Sequence, residues 1–244
     1  MRYKVTLAYN GGNYVGFQSQ INGIAIQDVI EEAIFKIFNA RLRIIMASRT
    51  DASVHARGQV FHFDIEKEMD PYKLKGAMNA LLPKDIHIIQ VDQVDESFHA
   101  RFSVKQKTYR YLINNGEYDV FLEGFAYQCR FPLDVEIMKD AAKLFLGKHD
   151  FSSFNTSTYA EKPDQQRTIS EFSIEKQNDL IVFTITGDGF LRNMVRIIVG
   201  TLVDLGRGLI RKEDIISMLN DPIKATTRRN NVTGSGLYLE RIEY

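Results

Sequence analysis

One short polar segment, residues 47–57 with the sequence ASRTDASVHAR, carries the side chains best suited to chemistry. Asp51 is the single carboxylate between residues 41 and 63, a stretch that also holds four arginines: Arg41, Arg43, Arg49 and Arg57. Nearby positive charge favours an ionised carboxylate, which can act as a nucleophile or a general base. The alternative is an aspartate that caps a turn by bonding to its own backbone. Composition alone favours the turn cap.

A metal site is the weaker interpretation of the same region. His55 lies four residues after Asp51 and His62 follows, but the two histidines lack the helical spacing of a metal-binding pair. The only cysteine, Cys129, leaves no cysteine-based zinc site and no internal disulfide. Phosphate-binding Gly-rich loops, G-x-S-x-G and H-E-x-x-H are all missing from the sequence. We therefore expect no metal ion.

The polar segment lies between two predicted strands, and loops held by rigid strands commonly carry function. Apolar residues predict strands over 3–9, 44–47, 59–65 and 86–94, and helices over 26–38 and from Pro71 to about 81. The second helix is expected to bury Tyr72, Leu74, Met78 and Leu81. The resulting order is β-α-β-β-α-β, the ferredoxin-like arrangement.

The second half of the chain is predicted to repeat that order. The expected strands are 105–114, 168–176, 180–186 and 237–242, the helices 134–146, 190–205 and 212–219, and the longest loops 152–168 and 225–236. We therefore predict an α/β (α+β) fold of two ferredoxin-like halves, with mainly antiparallel sheets and a central active-site cleft. The first domain, 1–103, would carry the Asp51 segment, and the second, 104–244, would complete the cleft.

Composition and charge set broader limits. The 244 residues are 44% hydrophobic and 25% charged, typical of a soluble globular protein. No apolar run approaches the roughly 20 residues of a membrane helix. The N-terminus reads as a strand rather than a signal peptide, so a cytoplasmic location is expected. Net charge is zero, but residues 101–117 hold four basic side chains against Glu117, and such a stretch can meet phosphate. A merely solvated basic face is the alternative.

Five motifs in a fixed order now bear on function: AYNGGNYVGFQSQ, SRTDASVHARGQVFHF, SFHARFSVKQKTYRYLI, GDGFLRNMVRIIVGTL and GSGLYLE. Through them the chain resembles the TruA-type tRNA pseudouridine synthases over nearly its whole length. The resemblance implies an isomerase that converts uridine to pseudouridine in the anticodon stem-loop of tRNA, at positions 38 to 40. It also implies a homodimer that needs neither cofactor nor metal.

The resemblance assigns roles to individual residues. Asp51 would be the nucleophile, whether it attacks the ribose or the base or deprotonates the ribose. Arg49 would help displace the target base, and Tyr109 would stack on the uracil. Arg196 would pair with Asp51, and Leu237 would pack against the base or Tyr109. Each role has a structural alternative. Arg49 would form a surface ion pair, and Tyr109 would pack on the sheet. Arg196 would lie on a helix surface, and Leu237 would be a core residue.

Phosphate contacts are expected from basic side chains, each with a solvated alternative: Lys105, Lys107, Arg110, Arg228 and Arg229.

The sequence departs from the family pattern at several positions. Serine stands at Ser48 and Ser53 where the family usually has glycine, and a positive φ at either would strain the loop. Phe17 replaces a usual tryptophan, Asn193 a usual histidine, and residues 231–235 an Ala/Pro-rich stretch. These departures raise the hypothesis that the chemistry is intact while the uridine target is altered. The competing hypotheses are a catalytically altered paralogue, an RNA-binding protein of the same fold, and, less favoured, a small-molecule enzyme.

Overall fold

The computed structural model describes residues 1–221 and 230–244. Its contacts divide the chain into two compact units. Unit 1 comprises Met1–Lys105 together with Tyr238–Tyr244, and unit 2 comprises Gln106–Leu237. The C-terminal strand therefore belongs with the first unit, whereas the sequence division at 103 and 104 placed it in the second.

Helices and mostly antiparallel strands occur in both units, which confirms the predicted mixed α/β class. The strands are β1 (Arg2–Tyr9), β2 (Ile45–Met46), β3 (His55–Asp64), β4 (Ile86–Val94), β5 (Gln106–Asn114), β6 (Tyr127–Gln128), β7 (Gly147–Asp150), β8 (Gln166–Gln177), β9 (Leu180–Gly187) and β10 (Leu237–Glu243). The helices are α1 (Ile26–Phe38), α2 (Pro71–Leu81), α3 (Val135–Ala142), α4 (Met194–Gly206) and α5 (Lys212–Asn220). No helix within residues 1–221 and 230–244 has the length and apolar character needed to span a bilayer.

In unit 1 the strands run in the order β4-β1-β3, with β2 antiparallel and β10 parallel to β3. Alternate residues of β1 are buried, as a half-buried strand requires. Helix α2 begins with Pro71 after Asp70, whose side chain accepts from the Lys73 amide.

The expected buried side of α2 is only half right. Leu74 and Met78, one turn apart, are fully buried. Tyr72 is 84% exposed because it lies two residues from Leu74 and so on the opposite side of the helix. Leu81 is 45% exposed at the last residue of the helix.

Strand β3 begins at His55, four residues before the alternation predicted it. The reason is the close approach of β10, which pairs with β3 at His55 and Ala56. A Cβ at Gly58 would lie 2.6 Å from the Glu240 carbonyl oxygen, so only glycine lets the strands meet. The end of the ASRTDASVHAR segment therefore lies in a strand, and only its first part is a loop.

In unit 2 the strands run in the order β5-β9-β8-β7, and β6 pairs with β5. The β8–β9 pair agrees with prediction, with Asn178 at a positive φ of 55° in the turn. Helix α4 begins at Met194 rather than 190, because Asn193 adopts a left-handed conformation with φ 61°. The short strands β6 and β7 have too few residues to show a period, and the sequence did not predict them.

Candidate active site

The loop of residues 48–54, here the Asp51 loop, lies against the segment 10–17 that follows β1. The Phe17 amide donates to the Thr50 carbonyl oxygen at 3.1 Å, and Gly16 forms an isolated antiparallel bridge with Asp51. The Val54 amide donates to the Asp51 carbonyl oxygen at 3.2 Å. The backbone on both sides of the carboxylate is therefore fixed by hydrogen bonds.

Exposure alternates along the loop. Ser48 and Thr50 are buried, whereas Arg49 is exposed and Asp51 is partly exposed. A carboxylate and a guanidinium two residues apart thus remain accessible to a ligand. An accessible carboxylate can act as a nucleophile or a general base on a substrate that reaches it.

Two glycines of the first motif are required by close contact. At Gly16 the φ is +126°, and an added Cβ would lie 2.7 Å from the Thr50 carbonyl oxygen. An added Cβ at Gly11 would lie 2.0 Å from the Val54 carbonyl oxygen. The glycines of AYNGGNYVG therefore let the backbone of segment 10–17 touch the Asp51 loop, a purpose beyond making a turn.

Ser53 has a positive φ of 63°, whereas Ser48 does not. The strain expected of a serine in place of glycine therefore applies at Ser53 alone. Its amide still donates to the Tyr14 carbonyl oxygen at 3.4 Å, so the loop keeps its contact with segment 10–17.

His55 is buried, and its contacts are structural. Its Nδ1 accepts from the Gly11 amide at 3.1 Å, and its ring stacks on Tyr238 with centroids 4.8 Å apart. In the part of the chain that the structure describes, no group of three or more His, Cys, Asp or Glu side chains is arranged to hold a metal ion.

The residues that the resemblance assigns to substrate contact in unit 2 lie on β5, α4 and the start of β10. Tyr109 is buried in β5, with the edge of its ring against Phe190 at 5.0 Å between centroids. Tyr111 is fully buried on the same strand, and its hydroxyl donates to the Thr233 carbonyl oxygen at 2.8 Å. Burial raises the pKa of the Tyr111 phenol, so it stays neutral. Leu237 is buried at the first residue of β10.

Arg196 is partly exposed in the first turn of α4. Its Nε donates to the Val232 carbonyl oxygen at 2.7 Å, and its Nη1 donates to Asn193 Oδ1 at 2.9 Å. The Asn193 amide nitrogen donates in turn to Thr156 Oγ1 at 2.9 Å. Asparagine tolerates the left-handed conformation found here, which explains how it can stand at the helix start.

The expected phosphate contacts divide into two groups. Lys105 is exposed, and Lys107 and Arg110 are partly exposed, so all three side chains are accessible to a partner in solution. Arg228 and Arg229 lie outside the described residues.

Sequence reasoning missed the polar side chains behind the Asp51 loop. The Tyr9 hydroxyl lies 2.7 Å from Thr50 Oγ1, and Gln59 Nε2 donates to the Ser48 carbonyl oxygen at 2.8 Å. No local pattern marks them, because Gln59 lies in a strand that also holds Arg57, His62 and Asp64.

Comparison with known sequences places the chain in a class of RNA-modifying enzymes. The chain belongs to the tRNA pseudouridine synthase family, whose sequence model matches residues 6–103 and 141–244. It is similar to tRNA pseudouridine synthase A 1 of Bacillus cereus, with 40% identity over 245 residues that cover 100% of this chain and 98% of the relative. It is likewise 42% identical to tRNA pseudouridine synthase A of an Exiguobacterium species over 246 residues, with coverage of 100% and 98%.

A third relative, tRNA pseudouridine synthase A of Wolbachia pipientis, is 41% identical over 247 residues, which cover 100% of both chains. Matches along the full length of separate relatives confirm the family indicated by the five motifs. They also confirm the enzyme class, an isomerase acting on uridine in tRNA.

Proposed function

We propose that this protein converts uridine to pseudouridine in the anticodon stem-loop of tRNA, at positions 38 to 40. The observation that carries the proposal is the Asp51 loop, whose buried residues hold an accessible carboxylate beside Arg49. The reaction is an isomerisation. The bond from uracil N1 to ribose C1′ breaks, a bond from C5 to C1′ forms, C5 loses a proton and N1 gains one.

Asp51 supplies the carboxylate for this reaction. It attacks the ribose, attacks the base, or removes a proton from the ribose, and each route requires the ionised form. Partial exposure supports the role because a substrate can reach the carboxylate.

Arg49 and Tyr109 bind the displaced base in this proposal. A flipped base leaves its stack at a cost of a few kcal/mol, which contacts with the enzyme must offset. Arg49 is exposed on the Asp51 loop, where it helps displace the base and touches the backbone. Tyr109 stacks on the uracil, and its edge contact with Phe190 supports this by fixing the orientation of the ring.

Arg196 pairs with Asp51 and keeps it charged, and Leu237 packs against the base or Tyr109. The bonds from Arg196 to Val232 and Asn193 support its role, because they hold the guanidinium in one orientation. Lys105, Lys107 and Arg110, with Arg228 and Arg229, contact phosphates of the tRNA.

We also propose that the fold contains two ferredoxin-like halves and that the protein acts as a cytoplasmic homodimer. Unit 1 supports the first point with its β-α-β-β-α-β order and the sheet order β4-β1-β3-β2. The homodimer rests on the family resemblance, and the location rests on the sequence pattern alone.

An RNA-binding protein without activity is the second candidate, favoured by the strained Ser53 next to the Asp51 loop's centre. Mapping pseudouridines in tRNA treated with the purified protein decides between them. New pseudouridine at positions 38 to 40 is the expected result. Pseudouridine at other positions would show a different target, and unchanged tRNA that still binds the protein would favour the second candidate.

A further inference from the structure

Tyr9 and Gln59 are buried polar residues that contact the Asp51 loop. Together with the buried Thr50 of that loop, we call them the Tyr9 network. The Tyr9 hydroxyl and Thr50 Oγ1 are 2.7 Å apart. Gln59 Nε2 donates to the Ser48 carbonyl oxygen at 2.8 Å and reaches the Tyr9 hydroxyl at 3.5 Å. Tyr9 comes from β1, Gln59 from β3 and Thr50 from the loop itself, so the network joins two strands to the loop.

The chemistry of Gln59 sets the direction of its own hydrogen bonds. The Gln59 amide nitrogen can only donate, which makes the Ser48 carbonyl and the Tyr9 oxygen its acceptors. The Tyr9 hydroxyl and Thr50 Oγ1 share a third bond, in which either oxygen can be the donor. The network thus ends on two loop residues, the backbone of Ser48 and the side chain of Thr50.

These two residues alternate with the residues that face the substrate. Ser48 and Thr50 are buried, Arg49 stands exposed between them, and Asp51 follows directly after Thr50. A displacement of Thr50 toward solvent would therefore move Asp51 with it. Separate backbone bonds, from the Phe17 amide to Thr50 and from the Val54 amide to Asp51, keep the loop folded without the network.

Core stability does not require polar groups at these positions. Apolar side chains of the same shape can replace a buried hydrogen-bonded pair at little cost. A hydrogen-bonded pair differs from an apolar contact in fixing direction as well as distance, which is what a nucleophile needs.

We propose that Tyr9, Thr50 and Gln59 are positioning residues for the reaction, which hold the Asp51 carboxylate at its reacting distance without touching the substrate. The proposal rests on the proposed role of Asp51 as nucleophile. It assigns the hydroxyl of the R-T-D threonine a function of its own.

Single-turnover rates of pseudouridine formation in an anticodon stem-loop test this assignment. Tyr9→Phe and Thr50→Val should each lower the rate about tenfold to a hundredfold, because a misplaced reacting group costs that much, while tRNA affinity stays unchanged. The double variant should be no slower than the worse single variant, since both remove the same bond. Thr50→Ser, which keeps a hydroxyl, should recover most of the rate.

Tyr3→Phe is the matched control. Tyr3 is buried on the same strand β1, and its hydroxyl is also hydrogen-bonded, donating to the Met69 carbonyl oxygen at 2.7 Å. Tyr3→Phe should lose similar thermal stability with no loss of rate. Equal losses of rate in Tyr3→Phe and Tyr9→Phe, or losses that multiply in the double variant, would overturn the positioning role.

Hydrogen exchange gives a readout that does not depend on activity. Amides of residues 48–54 should exchange faster in Tyr9→Phe and Thr50→Val and keep their wild-type rates in Tyr3→Phe. Unchanged exchange there would also overturn the proposal. An inactive wild-type protein whose variants show the expected exchange would instead count against the proposed function alone.

Discussion

Ser53 holds a backbone conformation that glycine adopts at no cost. With φ at 63°, its Cβ approaches the following carbonyl oxygen, a strain of about 1 kcal/mol for an L residue. It lies two residues after Asp51, in the loop that presents the carboxylate. The strain is therefore borne next to the reacting group, where the surrounding hydrogen bonds enforce it.

Ser53→Gly should raise the free energy of unfolding by about 0.5 kcal/mol, because relief of strain exceeds the added entropy of an unfolded glycine. Urea denaturation measures the change. Ser48→Gly is the control with the opposite sign, since Ser48 has no positive φ and gains only the entropy cost. Destabilisation of both variants to the same degree would show that Ser53 is unstrained.

His62 is a buried histidine that the protein keeps neutral. Burial first, and then the charge of Arg2 and the nearby His99, lower the pKa of His62 from 6.5 to about 4. Its Nδ1 accepts from the Ala100 amide at 3.1 Å, so a proton there would break that bond.

The free energy of unfolding should fall as pH drops from about 6.5 to about 4. In that window the unfolded chain binds a proton at His62 and the folded chain does not. The loss is at most about 3 kcal/mol for a shift of this size and is complete below the folded pKa. Urea denaturation at several pH values measures it. His62→Asn, which keeps an acceptor, should lose this part of the pH dependence, and an identical pH profile in both proteins would contradict the buried neutral state.

At the level of elements, the start of α4 determines where Arg196 lies. Asn193 stops the helix from extending toward 190, and its side chain joins Arg196 to Thr156.

Asn193→Gly should lower the rate of pseudouridine formation about tenfold and leave the free energy of unfolding within about 1 kcal/mol of wild type. Glycine keeps the left-handed backbone and removes the side-chain bonds to Arg196 and Thr156. Single-turnover rates and urea denaturation measure the two quantities. Asn193→Asp, which retains the acceptor oxygen, is the control, and a full rate in Asn193→Gly would show that Arg196 needs no help from this residue.

The elements that the sequence predicts well are those long enough to show several repeats of a hydrophobic period. Strand β1 and the β8–β9 pair follow from alternation, and α1 from its apolar stripe. The two-residue β6 and the four-residue β7 are too short to show a hydrophobic period. The early start of β3 depends on Gly58 meeting β10, a contact between residues about 180 positions apart that no local pattern records.

The site shows the same division. Asp51, Arg49 and Tyr109 could be proposed as site residues because they lie in motifs that resemble those of a known family. The Tyr9 network could not, because Tyr9 and Gln59 are 50 positions apart in sequence and approach only through the pairing of β1 with β3. The sequence could predict strain at Ser53 only if its φ were positive. The value of φ itself depends on the contacts of the folded loop.

At the level of the whole molecule, a net charge of zero means that tRNA binding must come from local basic surface. Lys105 ends the first segment of unit 1, Lys107 and Arg110 lie at the start of unit 2, and all three are at least partly exposed. Their separation from the Asp51 loop in sequence makes affinity and chemistry separable by mutation.

Lys105→Gln should weaken tRNA binding and reduce the slope of log affinity against log salt by about 1, as expected for the loss of one phosphate contact. Binding isotherms at several salt concentrations give the slope. Lys36→Gln, which changes an exposed lysine of α1 already paired with Glu32, is the control and should leave the slope unchanged. Equal slopes for wild type and Lys105→Gln would place Lys105 outside the tRNA contact.

Asp51 is proposed to supply the carboxylate for pseudouridine formation, and Asp51→Asn tests this role most directly. Asparagine keeps the size of the side chain and removes the charge that every proposed route requires. Pseudouridine-specific labelling of an anticodon stem-loop should detect no product with Asp51→Asn, while tRNA still binds. Glu66→Gln, which removes an exposed charge of unit 1, should remain active. Turnover by Asp51→Asn at a rate near that of wild type would contradict the assignment of the nucleophile.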